Sequence, residues 1–281
     1  MFTGKTFVLT GATKGIGFNI AQNLSNNNAK CIFIARTQED LDWLRKEFKE
    51  GVSHHKYIAL DVSNELKVKE LFQFFEKTLY CIDGIINCAG TFGAIGKFDQ
   101  VSPTEYLQTL HVNLMGAYNI CYYGFSFLQK AQRGKIINFA GGGVTSSFPN
   151  YSAYATSKIA LVKLTENMSI EYPSMDINCI APGFIKTPLS DQTLKAGDKA
   201  GSFREATLKM IEEGGIDVKY AVELVQFLLS EKSNGITGKL ISAPWDEWHS
   251  TIFQNKIRDE KDFCTLRRID DKYFKIVETN T

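Results

Sequence analysis

The sequence predicts a doubly wound α/β fold, a parallel sheet of about seven strands with helices on both faces. Three observations carry that expectation. Short runs that are apolar at every position, such as Phe7-Val8-Leu9 and Cys31-Ile32-Phe33-Ile34, mark strands buried on both sides. Stretches with apolar residues at helical spacing alternate with these runs, the order that specifies parallel strands joined by crossover helices. The unusual motifs fall just after strands, where such folds bind their ligands.

Taken in order, residues 6–10 form the first strand, followed at once by Gly11-Ala12-Thr13-Lys14-Gly15-Ile16-Gly17. A helix over 16–26 places Ile16, Ile20 and Leu24 on one face, and the Asn26-Asn27-Asn28 cluster ends it. Residues 30–35 are the second strand, and Leu41, Leu44 and Phe48 mark the second helix. The third strand, 57–60, ends at Asp61, and Val68, Leu71, Phe72 and Phe75 mark the third helix. After a fourth strand at 85–87, a helical pattern runs from 102 to 129 with a bend expected near Gly116. The fifth strand, 136–139, leads into Gly141-Gly142-Gly143. The next helix carries Tyr154 and stops near Tyr172-Pro173; a sixth strand, 177–180, leads to Pro182-Gly183. Residues 184–215 read as a mobile, partly helical flap over a site. Val218 to Leu229 is amphipathic, and 239–241 is the seventh strand. With no linker or repeat, residues 1–249 read as a single domain and 250–281 as a C-terminal extension.

Composition narrows the function. Of 281 residues 44% are hydrophobic and 22% charged, enough to bury a full core. A net charge of +1 argues against a broad nucleic-acid or membrane-surface role. The six cysteines form no C-x-x-C and mostly sit in apolar runs, so reduced, mostly buried thiols and a cytoplasmic setting are expected. The four histidines, His54, His55, His111 and His249, lack metal spacing, so no metal is expected. No signal peptide or membrane-spanning run is read. The expected partner is a small molecule.

The glycines of the first turn allow a tight bend and let backbone N–H groups approach a pyrophosphate at a helix N-terminus; a turn with packing duties alone is the alternative. An acid at the end of the second strand would select NAD, but Ala35-Arg36 stands there. Arg36 offers a planar fork to a 2′-phosphate, with Lys14 nearby, so NADP is expected; solvated surface charges are the alternative, and Glu39 and Asp40 leave NAD open. Tyr154 and Lys158 lie four apart, on one face of a helix. An ammonium beside a phenol favours the phenolate, and such a pair can exchange a proton with an alcohol or carbonyl; alone it can equally be an exposed helical pair.

Together these motifs resemble the short-chain dehydrogenase/reductase family in its single-domain, Rossmann-type form, over about residues 3–243. Residues 10–17 resemble its cofactor turn, Asp61-Val62 its adenine contact, and Asn87-Cys88-Ala89-Gly90 its N-N-A-G stretch with Cys in second place. Pro182-Gly183-Phe184-Ile185-Lys186-Thr187 is similar to its P-G loop at the nicotinamide end. The resemblance implies cofactor contacts at Gly11, Thr13, Lys14, Gly15, Ile16, Gly17, Arg36, Asp61, Val62, Asn87, Ala89, Gly90, Tyr154, Lys158, Pro182, Gly183, Ile185 and Thr187. It implies that Tyr154 exchanges the proton of the substrate oxygen, that Lys158 binds the nicotinamide ribose and lowers the Tyr154 pKa, and that Asn113 holds a relay water. A homodimer or homotetramer, through long helices such as the apolar 110–127 segment, is implied as well.

Two departures stand out. The family places a serine thirteen residues before the tyrosine, and here that position is Gly141. Thr145, Ser146 or Ser147, backbone N–H groups of the glycine run, or loss of activity are the competing explanations. The last strand is followed by Pro244-Trp245-Asp246-Glu247-Trp248 and some thirty further residues, with both tryptophans expected as anchors holding the tail to the body or a neighbouring subunit. Arg267-Arg268 could reach an anionic substrate group or be a solvated pair. This ending is similar to bacterial relatives near surface-polysaccharide genes, which implies a sugar or sugar-nucleotide substrate. The expected function is thus an NADP-dependent interconversion of a secondary alcohol and a ketone. A coenzyme-binding protein with weak or lost catalysis and a 3-oxoacyl-carrier-protein-type reductase are the alternatives.

Overall fold

The computed structural model describes residues 1–48 and 55–267; His54, Arg268 and the rest of the extension lie outside the described residues. Seven strands form one parallel sheet in the order β3-β2-β1-β4-β5-β6-β7. They are β1 (Thr6–Thr10), β2 (Lys30–Ala35), β3 (Lys56–Ala59), β4 (Gly84–Asn87), β5 (Lys135–Phe139), β6 (Asp176–Ala181) and β7 (Leu240–Ser242). The chain runs outward from β1 to β3, then returns across the sheet to β4 on the other side of β1. That reversal opens a crevice beyond the carboxyl ends of β1 and β4.

Because side chains alternate along a strand, each strand feeds two cores. Phe7 and Leu9 of β1 pack with Ile20 and Leu24 of α1 (Gly15–Asn26) and with Leu224, Val225 and Leu228 of α9 (Val218–Leu229). Val8 faces the other way, toward Val68 and Phe72 of α3 (Glu65–Glu76) and Ile120 and Phe127 of α5 (Gly116–Leu128). Fully burying each such side chain contributes about 1.5–3 kcal/mol.

Several boundaries differ from expectation. β3 is the edge strand, and its residues are half-buried or exposed rather than buried on both faces. The 102–129 stretch is α4 (Pro103–Leu110) and α5, joined by one wide π turn over His111–Met115. The Gly116 N–H closes that turn by donating to the His111 carbonyl, and a Cβ there would lie 2.5 Å from Val62 Cγ2. The glycine serves close approach of the helix to the loop after β3. Ser102 and Glu105 form a capping box at α4, with Pro103 in the first turn.

The flap is largely helical, comprising α7 (Pro188–Ala196), a short 3₁₀ turn and α8 (Ser202–Glu212). The helix after the glycine run, α6 (Ser152–Glu171), presents Tyr154 to it: Ala200, Phe203, Leu189 and Ala196 pack with Phe92, Phe148, Tyr151 and Tyr154.

At the C-terminal side, Trp248 is buried and its Nε1 donates to the Ala243 carbonyl, so it anchors to the body, whereas Trp245 is 71% exposed. After α10 (Thr251–Asp259), the buried Lys239 ammonium donates to the carbonyls of Glu260, Lys261 and Phe263. Leu240 N donates to Cys264 O, and Leu266 N to Glu166 Oε1. Arg267 pairs with Glu166 and with Asp262. All six cysteines are free thiols, three buried and three half-buried. Among the described residues no cluster could hold a metal, and no helix is long and apolar enough to cross a membrane.

Candidate active site

The first turn is built by backbone necessity. Gly11 has φ +67°, and a Cβ at Gly17 would lie 2.0 Å from the Gly11 carbonyl oxygen. The turn delivers the N-terminus of α1 without a side-chain cap and without an acidic residue in its first turn. No protein group therefore offsets the positive end of this twelve-residue helix, which suits an anionic ligand.

That helix end opens on a cavity of about 670 Å³ at the carboxyl ends of the strands. Gly11, Thr13, Lys14, Gly15, Ile16, Gly17, Arg36, Asp61 and Val62 line one part of it. Ala89, Gly90, Tyr154, Lys158, Pro182, Gly183, Ile185 and Thr187 line the same continuous space. Among the expected site residues, Asn87 and Asn113 do not line it. Asn87 lies beneath, donating to Asn138 Oδ1 (2.9 Å) and Cys121 Sγ (3.2 Å), and its own Oδ1 is buried without a protein partner. A lining that includes an uncapped helix N-terminus at a switch point of the sheet suits a dinucleotide.

Beyond β2, Arg36 lines the cavity, is exposed and forms no hydrogen bond or ion pair among the described residues. Lys14 differs from expectation, because its ammonium pairs with Asp40 at 2.9 Å. Lys14 in turn holds the Asp40 carboxyl below the usual carboxylate range. Asp61 Oδ1 accepts from Ser63 N and Oγ, and the Val62 carbonyl accepts from Asn119 Nδ2. Thr187 Oγ1 accepts from Leu189 N at the start of α7.

At the other end Tyr154 and Lys158 are both buried, at 5% and 4% exposure, yet both line the cavity. This excludes the exposed-pair reading. Lys158 Nζ donates to the Phe139 carbonyl (2.9 Å) and lies 5.7 Å from the Tyr154 ring centre. Burial pushes the Tyr154 phenol above its ordinary range and Lys158 below its own. The expected lowering of the phenol by Lys158 is not realised in this geometry, because desolvation dominates and the ammonium is turned to Phe139.

Asn113 sits in the π turn, a helix distortion that recurs at functional sites. Its Nδ2 donates to Thr91 O (2.9 Å) and Ser157 Oγ (3.0 Å), and its Oδ1 accepts from Thr91 N (2.9 Å). Both amide hydrogens are therefore committed. A Cβ at Gly90 would lie 3.4 Å from Asn113 Oδ1 and 3.6 Å from Lys158 Nζ, so the three groups meet at one point.

Gly141 has a clear steric role. A Cβ there would lie 2.0 Å from the Tyr154 hydroxyl oxygen and 2.7 Å from Cζ. The tyrosine occupies the niche a serine side chain would fill. Thr145, Ser146 and Ser147 line the cavity as exposed residues.

The sequence reading missed Thr91, Phe92, Ser157 and Gln192. Thr91 and Phe92 carried a usable signal, since they directly follow a strand-end motif. Gln192 carried none: it is one polar residue in a polar segment, and only the folded chain brings it to Thr91.

A family model described as short chain dehydrogenase matches residues 5–197. The chain is 27% identical over 194 residues to a 3beta-hydroxysteroid dehydrogenase of Mediterraneibacter gnavus, covering 68% of this chain and 70% of that one. It is 28% identical over 214 residues to an L-fucose dehydrogenase of Oryctolagus cuniculus, covering 74% and 72%. Its fold superposes on the ligand-free aldohexose dehydrogenase of Thermoplasma acidophilum with a TM-score of 0.72 at 25% identity, over 85% of this chain and 92% of that one.

Proposed function

This chain belongs to the short-chain dehydrogenase/reductase family, oxidoreductases that act on CH–OH groups, and we propose that it is an NADP-dependent member interconverting a ring-borne secondary alcohol and its ketone. One observation carries the reading: the buried Tyr154 and Lys158 side chains open into the same cavity as the uncapped N-terminus of α1. Binding and proton exchange thus share one continuous space.

The first-turn N–H groups hold the pyrophosphate, and Arg36 holds the 2′-phosphate through its planar fork. Asp61 and Val62 border the adenine, while Ala89, Gly90, Pro182, Gly183, Ile185 and Thr187 border the nicotinamide half. Asn87 supports Ala89 from below. When bound, the nicotinamide supplies or accepts hydride at the reacting carbon. Tyr154 gives its proton to the substrate oxygen in the reductive direction. A phenol raised by burial is loaded with that proton at neutral pH, which suits reduction. Lys158 is the ammonium that would hold the nicotinamide ribose, and beside the phenol it would offset the burial. With both Asn113 amide hydrogens taken, a relay water there is held as a donor to its carbonyl oxygens.

A sugar is the favoured substrate class, supported by the names of the fucose and aldohexose relatives. We also propose a cytoplasmic homo-oligomer assembled through the α4–α5 face. Leu107, Met115, Tyr118 and Tyr122 there are 38–62% exposed, and the two tyrosine rings stack on each other.

The test is an assay of the purified protein with NADPH and NADH on a panel of ring ketones, beside Arg36→Ala. The wild type should prefer NADPH, and the variant should raise the KM for NADPH tenfold or more while leaving that for NADH within about twofold. A wild type that prefers NADH, or an Arg36→Ala variant with an unchanged NADPH KM, contradicts the coenzyme assignment.

A further inference from the structure

Gln192 lies within α7 and reaches across to the loop after β4. Its Oε1 accepts from Phe92 N (3.0 Å) and from Thr91 Oγ1 (2.9 Å). A backbone N–H can only donate, so the amide atom facing Phe92 is the oxygen. Gly93 N donates to Thr91 Oγ1 (3.0 Å), which leaves the threonine hydrogen for Gln192. The amide therefore has a single orientation. Its Nε2 carries two hydrogens that no acceptor takes among the described residues, on a half-buried side chain that lines the cavity.

The residues Gln192 grips place it beside the reacting group. The Phe92 ring packs edge-to-face on Tyr154 at 4.8 Å, and the Thr91 backbone exchanges two hydrogen bonds with Asn113. Phe92, Phe148 and Phe203 pack together there as an aromatic wall. An apolar wall and a fixed amide donor lining one cavity match a ring whose C–H face is apolar and whose edge carries oxygens. A hydrocarbon ring would satisfy the wall and leave the donor unpaired in a partly desolvated site.

We propose that Gln192 is a specificity-determining residue whose Nε2 donates to a substrate oxygen other than the one Tyr154 serves, so that the site selects polyoxygenated ring ketones and alcohols over rings bearing a single oxygen. The inference rests on the oxidoreductase reading above and names its substrate class. Through Oε1 the same residue clasps α7 to the Thr91–Phe92 backbone.

The matched probes are pentahydroxycyclohexanone and cyclohexanone, assayed with NADPH for the wild type, Gln192→Glu and Gln192→Met. Glutamate keeps the acceptor for Phe92 N and Thr91 but removes the donors; methionine keeps the length and lacks both. NADPH fluorescence titration checks that each variant is folded and binds coenzyme. The expected result is a wild-type preference for the hydroxylated ring, read as the ratio of kcat/KM for the two ketones, that falls about tenfold or more in both variants. Equal losses on both rings would reduce Gln192 to a clasp and overturn the inference alone, as would unchanged preference or a wild type that favours cyclohexanone. Turnover of neither ring by a wild type that binds NADPH overturns the ring-ketone reading and the inference together.

Discussion

At the residue scale, Gly141 stands where the family pattern has a serine. Its absent side chain makes room for the Tyr154 hydroxyl, 2.0 Å from where a Cβ would stand. Restoring the family's residue should therefore not restore an ordinary site. Gly141→Ser is expected to push Tyr154 from its place, at a cost of about 1–3 kcal/mol for overpacking, and to lower kcat about tenfold or more. A Gly141→Ser variant as fast as wild type in steady-state turnover would show that the niche is free. The sequence displayed the glycine but not this meaning, because the clash depends on a side chain thirteen positions later. Likewise Tyr154 and Lys158 were legible as a pair, but not that Lys158 donates to Phe139 while burial raises the phenol. Burial and partner choice are properties of the packed chain, and spacing alone does not determine them.

At the scale of elements, local patterning did most of its work correctly. The helices following β1, β2 and β3, and α9, were readable from their apolar spacing, and so was the turn ahead of α1. The π turn at His111–Met115 was not, since i→i+5 bonding leaves no compositional mark, and neither was the close contact of Gly116 with Val62. The C-terminal region shows a further device that sequence conceals. Lys239, adjoining β7, satisfies three carbonyls that follow α10 and so ties the extension to the sheet edge. Lys239→Met would leave those carbonyls without the charged donor. It is expected to destabilise the protein by about 2–4 kcal/mol in urea unfolding, with the substrate KM little changed because the tie is remote from the catalytic pair. A loss under about 0.5 kcal/mol would mean that the tail is held by its other contacts.

On the scale of the whole molecule, the sheet order explains why remote motifs converge. The glycine turn follows β1, Ala89 and Gly90 follow β4, Gly141 follows β5 and Pro182 follows β6, and parallel strands bring all four ends to one edge. The fold class was therefore readable from alternation alone, and with it the location of the site. A flap over the site was legible at 184–215, but not that α7 and α8 pack on Phe92 and Tyr154 or which side chains they bring there. That part of the cavity depends on contacts such as Gln192 to Phe92, a hundred residues apart.

The central claim is that the buried Tyr154 hydroxyl is the proton donor to a substrate held in this cavity. Single-turnover reduction of an accepted ring ketone by the NADPH-bound protein tests it most directly, comparing wild type with Tyr154→Phe. The account expects the variant to bind NADPH as wild type does and to react about 10²–10⁴-fold more slowly. A variant that binds NADPH and reacts at the wild-type rate would contradict it.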